Sequence, residues 1–261
     1  MNPNALPPIS SHYNNGLSPV QQSLATGQRI NQTADDAAGQ AIVTALTAQT
    51  NQQDMSTQNA LQGINVTQIA DGASETINAH LQRLNELSIQ AQNGTLNAAD
   101  RNTLNTEFQK TLKSIDQIAQ TTNYNGLNLL DNQNPTLDIQ LGDGSTTLNL
   151  PDFTTSGLGI SGLGISNPAN AANALQTLSQ TLDQMSQQRS QFGAQQNGLT
   201  HAIDNLANQN LNTLATRSQI SDTDYARAAA EQSRQKILEE ANIALQAQSN
   251  MDRSRVLQLL T

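Results

Sequence analysis

Apolar residues recur every three or four positions along most of this chain, and the pattern fails over a long stretch only between Asn123 and Pro168. Steps of that size place side chains on one face of an α-helix. Near the start, Leu6, Ile9, Tyr13, Leu17, Val20, Leu24 and Ile30 keep this spacing. Pro19 interrupts it, because proline lacks an N–H and clashes with the preceding turn. Ser18-Pro19-Val20-Gln21 therefore reads as N-cap, N1, N2 and N3 of a fresh helix, with Gln21 placed to close a capping box. Asp35-Asp36 precedes a very long helical pattern, Ala37 to Gln92. Its second half sets Leu61, Ile64, Ile69, Ala73, Ile77, Leu81, Leu84, Leu87 and Ala91 on one face, and at about 1.5 Å per residue it predicts a rod of about 80 Å. Asn93-Gly94 is a stop signal. A further helix starts at Thr95 or Asn97, carries Leu104, Phe108, Leu112, Ile115 and Ile118, and ends before Asn125-Gly126.

The middle changes period. Leu137, Ile139 and Leu141 alternate with Asp138 and Gln140, Gly142-Asp143-Gly144 supplies turn chemistry, and Leu148 and Leu150 alternate again before Pro151. That predicts a β-hairpin. Residues 158–166 nearly repeat the unit Gly-Leu-Gly-Ile-Ser, and their glycines predict a flexible or turn-rich connector. From Asn167-Pro168 the heptad signal is clearest: Leu175, Leu178, Leu182, Met185, Phe192, Leu199, Ile203 and Leu206 take steps of three and four. Arg189 and Gln196 fill the vacant seam positions, where polar residues fix register at a cost in stability. Ser221-Asp222-Thr223-Asp224 offers N-caps for a last helix, whose stripe is Ile237, Ala241, Ala244, Gln248, Met251, Val256 and Leu260.

Composition narrows the fold. Aromatics are 2% of the 261 residues and Trp is absent. Large rings supply much of the buried area of globular cores. An inventory of Ala, Leu and Ile suits the narrow seams between long helices instead. The expectation is a mainly α protein: an elongated antiparallel helical bundle or coiled coil built from both chain ends, plus a small β-hairpin region. Its segments are 1–35, 36–130, 131–167, 168–219 and 220–261.

A net charge of −9 and no basic cluster argue against a nucleic-acid partner. No apolar run approaches the ~18–20 residues of a membrane span, and residues 1–15 show no secretory signal pattern. Cysteine is absent, so disulfides and thiolate metal sites are excluded. His12, His80 and His201 do not stand at metal-ligand spacing, and no His-Glu-x-x-His pattern occurs. Asp222 and Asp224 form a carboxylate pair, but at a helix start capping accounts for them. The reading is no enzyme, no cofactor and no metal. Thr154, Thr155 and Ser156 are candidate sugar acceptors in a middle segment expected to be exposed.

Several ordered motifs resemble bacterial flagellin. Gln21–Ile42 is similar to the family's N-terminal signature, and Leu81–Ser88 to its long-helix motif. Asn123-Tyr124-Asn125-Gly126 resembles its Asn-aromatic-Asn-Gly turn, and Arg189–Asn197 and Ser221–Ala226 match near the other end. The opening departs from the family, with prolines where it has continuous helix.

The resemblance implies a minimal filament subunit with little or no variable surface domain. It would be used for motility, exported through the flagellar type III apparatus, and located in the extracellular filament. In the family, segments like 1–35 and 220–261 form an inner tube and segments like 36–130 and 168–219 an outer rod, which leaves 131–167 as a β-hairpin and Gly-rich connector in place of the variable surface domains. Implied partners are other copies of the chain, an export chaperone, hook-associated and cap proteins, and host innate immune receptors. Arg83 and Leu87 match a receptor-read motif, although Ser114 stands where the family has Glu, and for Leu87 a packed core position is the favoured alternative. Candidate subunit contacts are Arg29, Ile30, Asp35, Asp36, Arg189, Phe192 and Gln196. Arg29 has two candidate roles for its acidic neighbours: axial ion pairs with Asp35 and Asp36, or helix capping by those carboxylates. Candidate terminal-helix packing residues are Leu17, Val20, Leu24, Ile237, Ala244, Met251, Val256 and Leu260. Isolated helices are marginal, so the terminal helices are expected to order when their apolar stripes meet sister molecules. Competing readings are a hook–filament junction protein, a flagellin-like ligand-binding adhesin and a cytoplasmic signalling coiled coil.

Overall fold

The computed structural model describes residues 18–142 and 144–259, with backbone alone at 253, 254 and 256–259. Leu17 and Leu260 lie outside the described residues, and for Val256 only the helical backbone is described. The elements in order are α1 (Pro19–Thr26), α2 (Ala37–Gln92), α3 (Ala98–Thr121), β1 (Asn123–Tyr124), β2 (Leu127–Asn128), β3 (Thr136–Leu141), β4 (Gly144–Asn149), α4 (Pro168–Ser221) and α5 (Tyr225–Leu259). The protein is mainly helical, as its periodicity predicts. It divides into two compact units, one of residues 51–211 and one of residues 1–50 with 212–261.

Local chemistry sets the boundaries. Ser18 caps α1 through a complete capping box: its Oγ accepts the Gln21 N–H, and its own N–H donates to Gln21 Oε1. The helix stops at Gly27, whose φ of 74° is left-handed and favours glycine. Ile30 therefore lies beyond the helix and not on the stripe its spacing suggested. Asn97 and Asp100 form the capping box of α3. Asn125 (φ 50°) and Gly126 (φ 81°) make the two-residue turn of a short β1–β2 hairpin, as a type I′ turn requires. That hairpin is absent from the periodicity because each strand has only two residues. The β3–β4 hairpin forms as expected, with Leu137 opposite Leu148 and Ile139 opposite Thr146.

In the 51–211 unit, α2, α3 and α4 share one core. It holds Ile77, Leu81, Leu84 and Leu87 of α2, Phe108, Leu112 and Ile115 of α3, and Leu178, Met185 and Phe192 of α4. Phe153 meets Phe192 edge-on, centroids 6.5 Å apart at 83°. The segment read as a flexible or turn-rich connector is turn-rich and packed, with Leu158, Ile160 and Ile165 in this core. Thr155 is likewise 7% exposed, against the expectation of an exposed sugar acceptor. Its N–H and hydroxyl donate to the Asp116 carboxylate.

The buried seam of α2 differs from the apolar stripe. Leu61 and Ile69 are exposed. Besides Thr50, Val66 and Leu87, a buried seam of Gln53, Ser56, Ala60, Gly63, Thr67, Ala70, Ser74, Ile77, Leu81, Leu84, Ser88 and Ala91 alternates steps of three and four without a break. Small residues let the helices approach closely. The seam hydroxyls of Ser56, Thr67, Ser74 and Ser88 donate to the carbonyl four residues back, so none is left unpaired. Within this unit, α4 buries every seventh residue from Ala171 through Leu178, Met185, Phe192 and Leu199 to Leu206.

Candidate functional site: the assembly surface

In the unit of residues 1–50 with 212–261, the loop after α1 is tied to the junction of α4 and α5. Gln28 pairs with Asp222 in a single antiparallel bridge. The Arg29 N–H donates to Ser221 O at 2.6 Å, and the Thr223 N–H donates to Gly27 O at 2.9 Å. The Arg29 guanidinium donates to Ile220 O at 2.8 Å and lies 3.5 Å from the Asp36 carboxylate.

The two acidic residues divide the work. Asp36 Oδ1 accepts the Gly39 N–H at 2.8 Å and so caps α2. That hydrogen bond is the main cause holding the Asp36 carboxyl below its ordinary value; partial desolvation opposes it and Arg29 reinforces it. Asp35 instead accepts the N–H groups of Asn31 and Gln32 and pins the loop. Gly39 is needed for closeness: a Cβ there would stand 2.5 Å from Asp36 and 2.7 Å from Ile30. Ile30 is 3% exposed beneath this turn, so it is a packing residue of its own chain and offers no surface to a neighbour.

Asp224 caps α5 by accepting the Ala226 and Arg227 N–H groups. Asp222 accepts the Ser218 and Ser221 hydroxyls. α1 packs on the first turns of α5, leaving a groove of about 740 Å³ lined by Val20, Ser23, Arg29, Arg227, Glu231 and Arg234 among others. Val20 and Leu24 are half-buried there.

Beyond Gln232 the cover ends. Every described residue from Ser233 to Asp252 is exposed. Among them are Ile237 at 65%, Leu238 at 56%, Ile243 at 62%, Leu245 at 65% and Met251 at 61%. At 100° per residue, Ile237, Ala241, Ala244 and Met251 share a face. Leu238 and Leu245 widen it, and Ile243 lies on another side. The single-stripe reading leaves those three out, although their apolar character was the available signal. Scattered exposed apolar residues are ordinary, but five large ones exposed on one helix make it a candidate interaction surface.

The other predicted contacts are engaged within the chain. Phe192, expected at a subunit contact, is 1% exposed and packs edge-on against Phe153. Its heptad position, shared with Met185 and Leu199, explains why. Arg189 is half-buried and donates to Asp71 at 2.8 Å, with Glu75 at 3.8 Å. The Asp71 hydrogen bond holds the Arg189 guanidinium above its ordinary value. Gln196 is half-buried on the same helix. Arg83 is exposed and bridges Glu86 at 3.0 Å and Glu107 at 2.7 Å. Leu87, read with it as a receptor-like surface, is fully buried in the α2–α3–α4 core. Its place among Leu81, Leu84 and Ala91 is that of a core residue.

Among the described residues no group of three His, Asp or Glu side chains could hold a metal ion. Among the same residues, no helix is long and apolar enough to cross a membrane.

The chain is similar to known proteins along nearly its whole length. Residues 8–135 match the bacterial flagellin N-terminal helical region and residues 175–260 the bacterial flagellin C-terminal helical region. A flagellin of Halalkalibacterium halodurans is 37% identical over 265 residues, covering 98% of this chain and 97% of the relative. The crystal structure of Bacillus cereus flagellin aligns with a TM-score of 0.51 at 32% identity, covering 57% of this chain and 86% of that one. A flagellar hook-associated protein structure from Vibrio parahaemolyticus aligns with a TM-score of 0.62, covering 72% of this chain and all of that one. At 13% identity that likeness is one of fold. The helical matches at both ends and the near-complete overlap with a relative of almost equal length converge: the chain belongs to the bacterial flagellin family, in a small form without a large variable domain.

Proposed function

We propose that the bare face of α5, with α1 beside it, is the surface through which this filament subunit packs against its neighbours, and that the terminal helices gain their final order on assembly. The protein is a structural subunit that polymerises into the flagellar filament, as its family membership establishes. The observation that carries the packing proposal is the run from Ser233 to Asp252, helical yet uncovered. A heterologous contact that does not close into a ring produces an open helical polymer. In this reading, segments 1–35 and 220–261 line the inner tube. Segments 36–130 and 168–219 form the outer rod, and 131–167 forms the hairpin and connector.

The wider assignments rest on the same family membership. The chain leaves the cell through the flagellar export apparatus, is held by an export chaperone before assembly, and meets hook-associated and cap proteins at the filament ends. Its role is mechanical, with no catalysis and no cofactor. The exposed Arg83 is the part of the receptor-like motif available to a host innate immune receptor. Electron microscopy of the purified chain under polymerising conditions, paired with limited proteolysis, tests the proposal. Filaments whose α5 resists cleavage, beside monomers whose α5 is cut, support it; failure to polymerise, or equal resistance in both states, overturns it.

A further inference from the structure

Asparagine followed by glycine is the dipeptide most open to spontaneous cyclisation, because no side chain blocks the attacking amide. The described residues contain three such pairs: Asn93-Gly94, Asn125-Gly126 and Asn197-Gly198. Asn15-Gly16 lies outside the described residues. The three occupy different backbones. Asn197-Gly198 is inside α4, where the Gly198 N–H belongs to the helical ladder and must be freed by local opening before it can react. Asn125-Gly126 is held in the β1–β2 turn by the pairing of Tyr124 with Leu127, and the Asn125 side chain accepts no hydrogen bond among the described residues.

Asn93-Gly94 joins α2 to α3 and is exposed. Asn93 Oδ1 accepts two hydrogen bonds, from the Thr95 N–H at 3.1 Å and the Thr95 hydroxyl at 3.0 Å. Gly94 has no atom within 4 Å of where a Cβ would stand. Its N–H donates to no acceptor among the described residues. We propose that Asn93-Gly94 is an intramolecular deamidation site, activated by Thr95.

The Gly94 nitrogen loses its proton to solvent base and attacks Asn93 Cγ. Negative charge develops on Oδ1, where the two Thr95 donors already point, an arrangement that stabilises an oxyanion. The Cγ–Nδ2 bond then breaks and ammonia leaves with a proton from solvent. Water opens the resulting succinimide at either carbonyl, giving aspartate or isoaspartate at position 93. The net change is gain of water and loss of ammonia, with no oxidant or reductant. The product has a structural effect. Arg101 donates to Ala91 O in the last turn of α2 and to Asn93 O just beyond it, both at 3.0 Å. A new carboxylate there opposes the helix dipole and competes for Arg101. Isoaspartate also lengthens the backbone of the turn.

The test is peptide mapping by mass spectrometry of the full-length protein aged at mildly alkaline pH, native and in urea, with fragmentation that separates aspartate from isoaspartate. In the native protein Asn93 converts about 10-fold faster than Asn197, and faster than Asn125, whereas in urea the three rates converge. Thr95→Val slows native conversion at Asn93 by about 2- to 10-fold, the effect of removing one hydrogen bond, and leaves the rate in urea unchanged. Unchanged circular dichroism of that variant establishes that it folds. Native conversion at Asn93 slower than in urea, or a Thr95→Val rate that is unchanged or faster, overturns the proposal.

Discussion

Replacing Ile237 with alanine separates assembly from folding. The side chain is 65% exposed, so about two-thirds of its burial energy remains to be gained. Ile237→Ala deletes three carbon groups, each worth about 0.8 kcal/mol when fully buried. The loss is therefore about 1.5 kcal/mol for every subunit added, and less than about 1 kcal/mol in the isolated chain, where only the helix itself covers the side chain. Since about 1.4 kcal/mol is a factor of ten in an equilibrium constant, the critical concentration for polymerisation rises roughly tenfold. Sedimentation of filaments at graded protein concentrations reads that value directly. A denaturant titration of the monomer provides the second axis, with a midpoint shift smaller than the assembly effect expected because Ile237 belongs to neither core cluster. A critical concentration unchanged within about twofold, or a monomer midpoint that falls by an equivalent amount, refutes the reasoning.

Phe192→Ala acts the other way, destabilising the monomer by about 3–5 kcal/mol in urea denaturation, because it opens a cavity against Phe153. Leu87→Ala costs about 2–5 kcal/mol for the same reason, whereas Arg83→Ala leaves the thermal midpoint unchanged, its guanidinium being exposed. The Asp71–Arg189 pair, with both side chains 33% exposed, yields a coupling of about 1 kcal/mol or less in a double-mutant cycle. The Asp36 carboxyl is held below its ordinary value of 3.8, chiefly by the Gly39 N–H. Its folded pKa thus lies under its unfolded one, so its stabilisation is full above the unfolded value and fades as pH falls through the folded one. Hydrogen exchange of the Gly39 amide should accelerate over that acid range, and Asp36→Asn should remove this dependence.

Much of the architecture is legible in the sequence because local signals there agree with tertiary packing. Ser18-Pro19-Val20-Gln21 makes its capping box, Asn93-Gly94 ends α2, and alternation at Leu137–Leu141 gives β3. Where the sequence misleads, the reason is physical. Counting only apolar residues along α2 selects Leu61 and Ile69, but the seam there includes Gly63 and the hydroxyl residues Ser56, Thr67 and Ser74, which bond to their own helix. Exposure is equally invisible to periodicity. Phe192 and Ile237 both occupy regular apolar stripes, yet one is 1% exposed and the other 65%. What differs is whether another element of the same chain covers the stripe, and this depends on tertiary placement. Residues 158–165 show the same limit: glycine spacing announces turns, but not that Leu158, Ile160 and Ile165 fill a core.

The central claim is that the uncovered face of α5 finds its cover in other copies of the chain. Hydrogen exchange measured by mass spectrometry on monomer and filament, over Ser233 to Asp252, reads this most directly. The account predicts rapid exchange in the monomer and strong protection in the filament, with the core helices around Phe192 protected in both. Matching protection of α5 in the two states would contradict it.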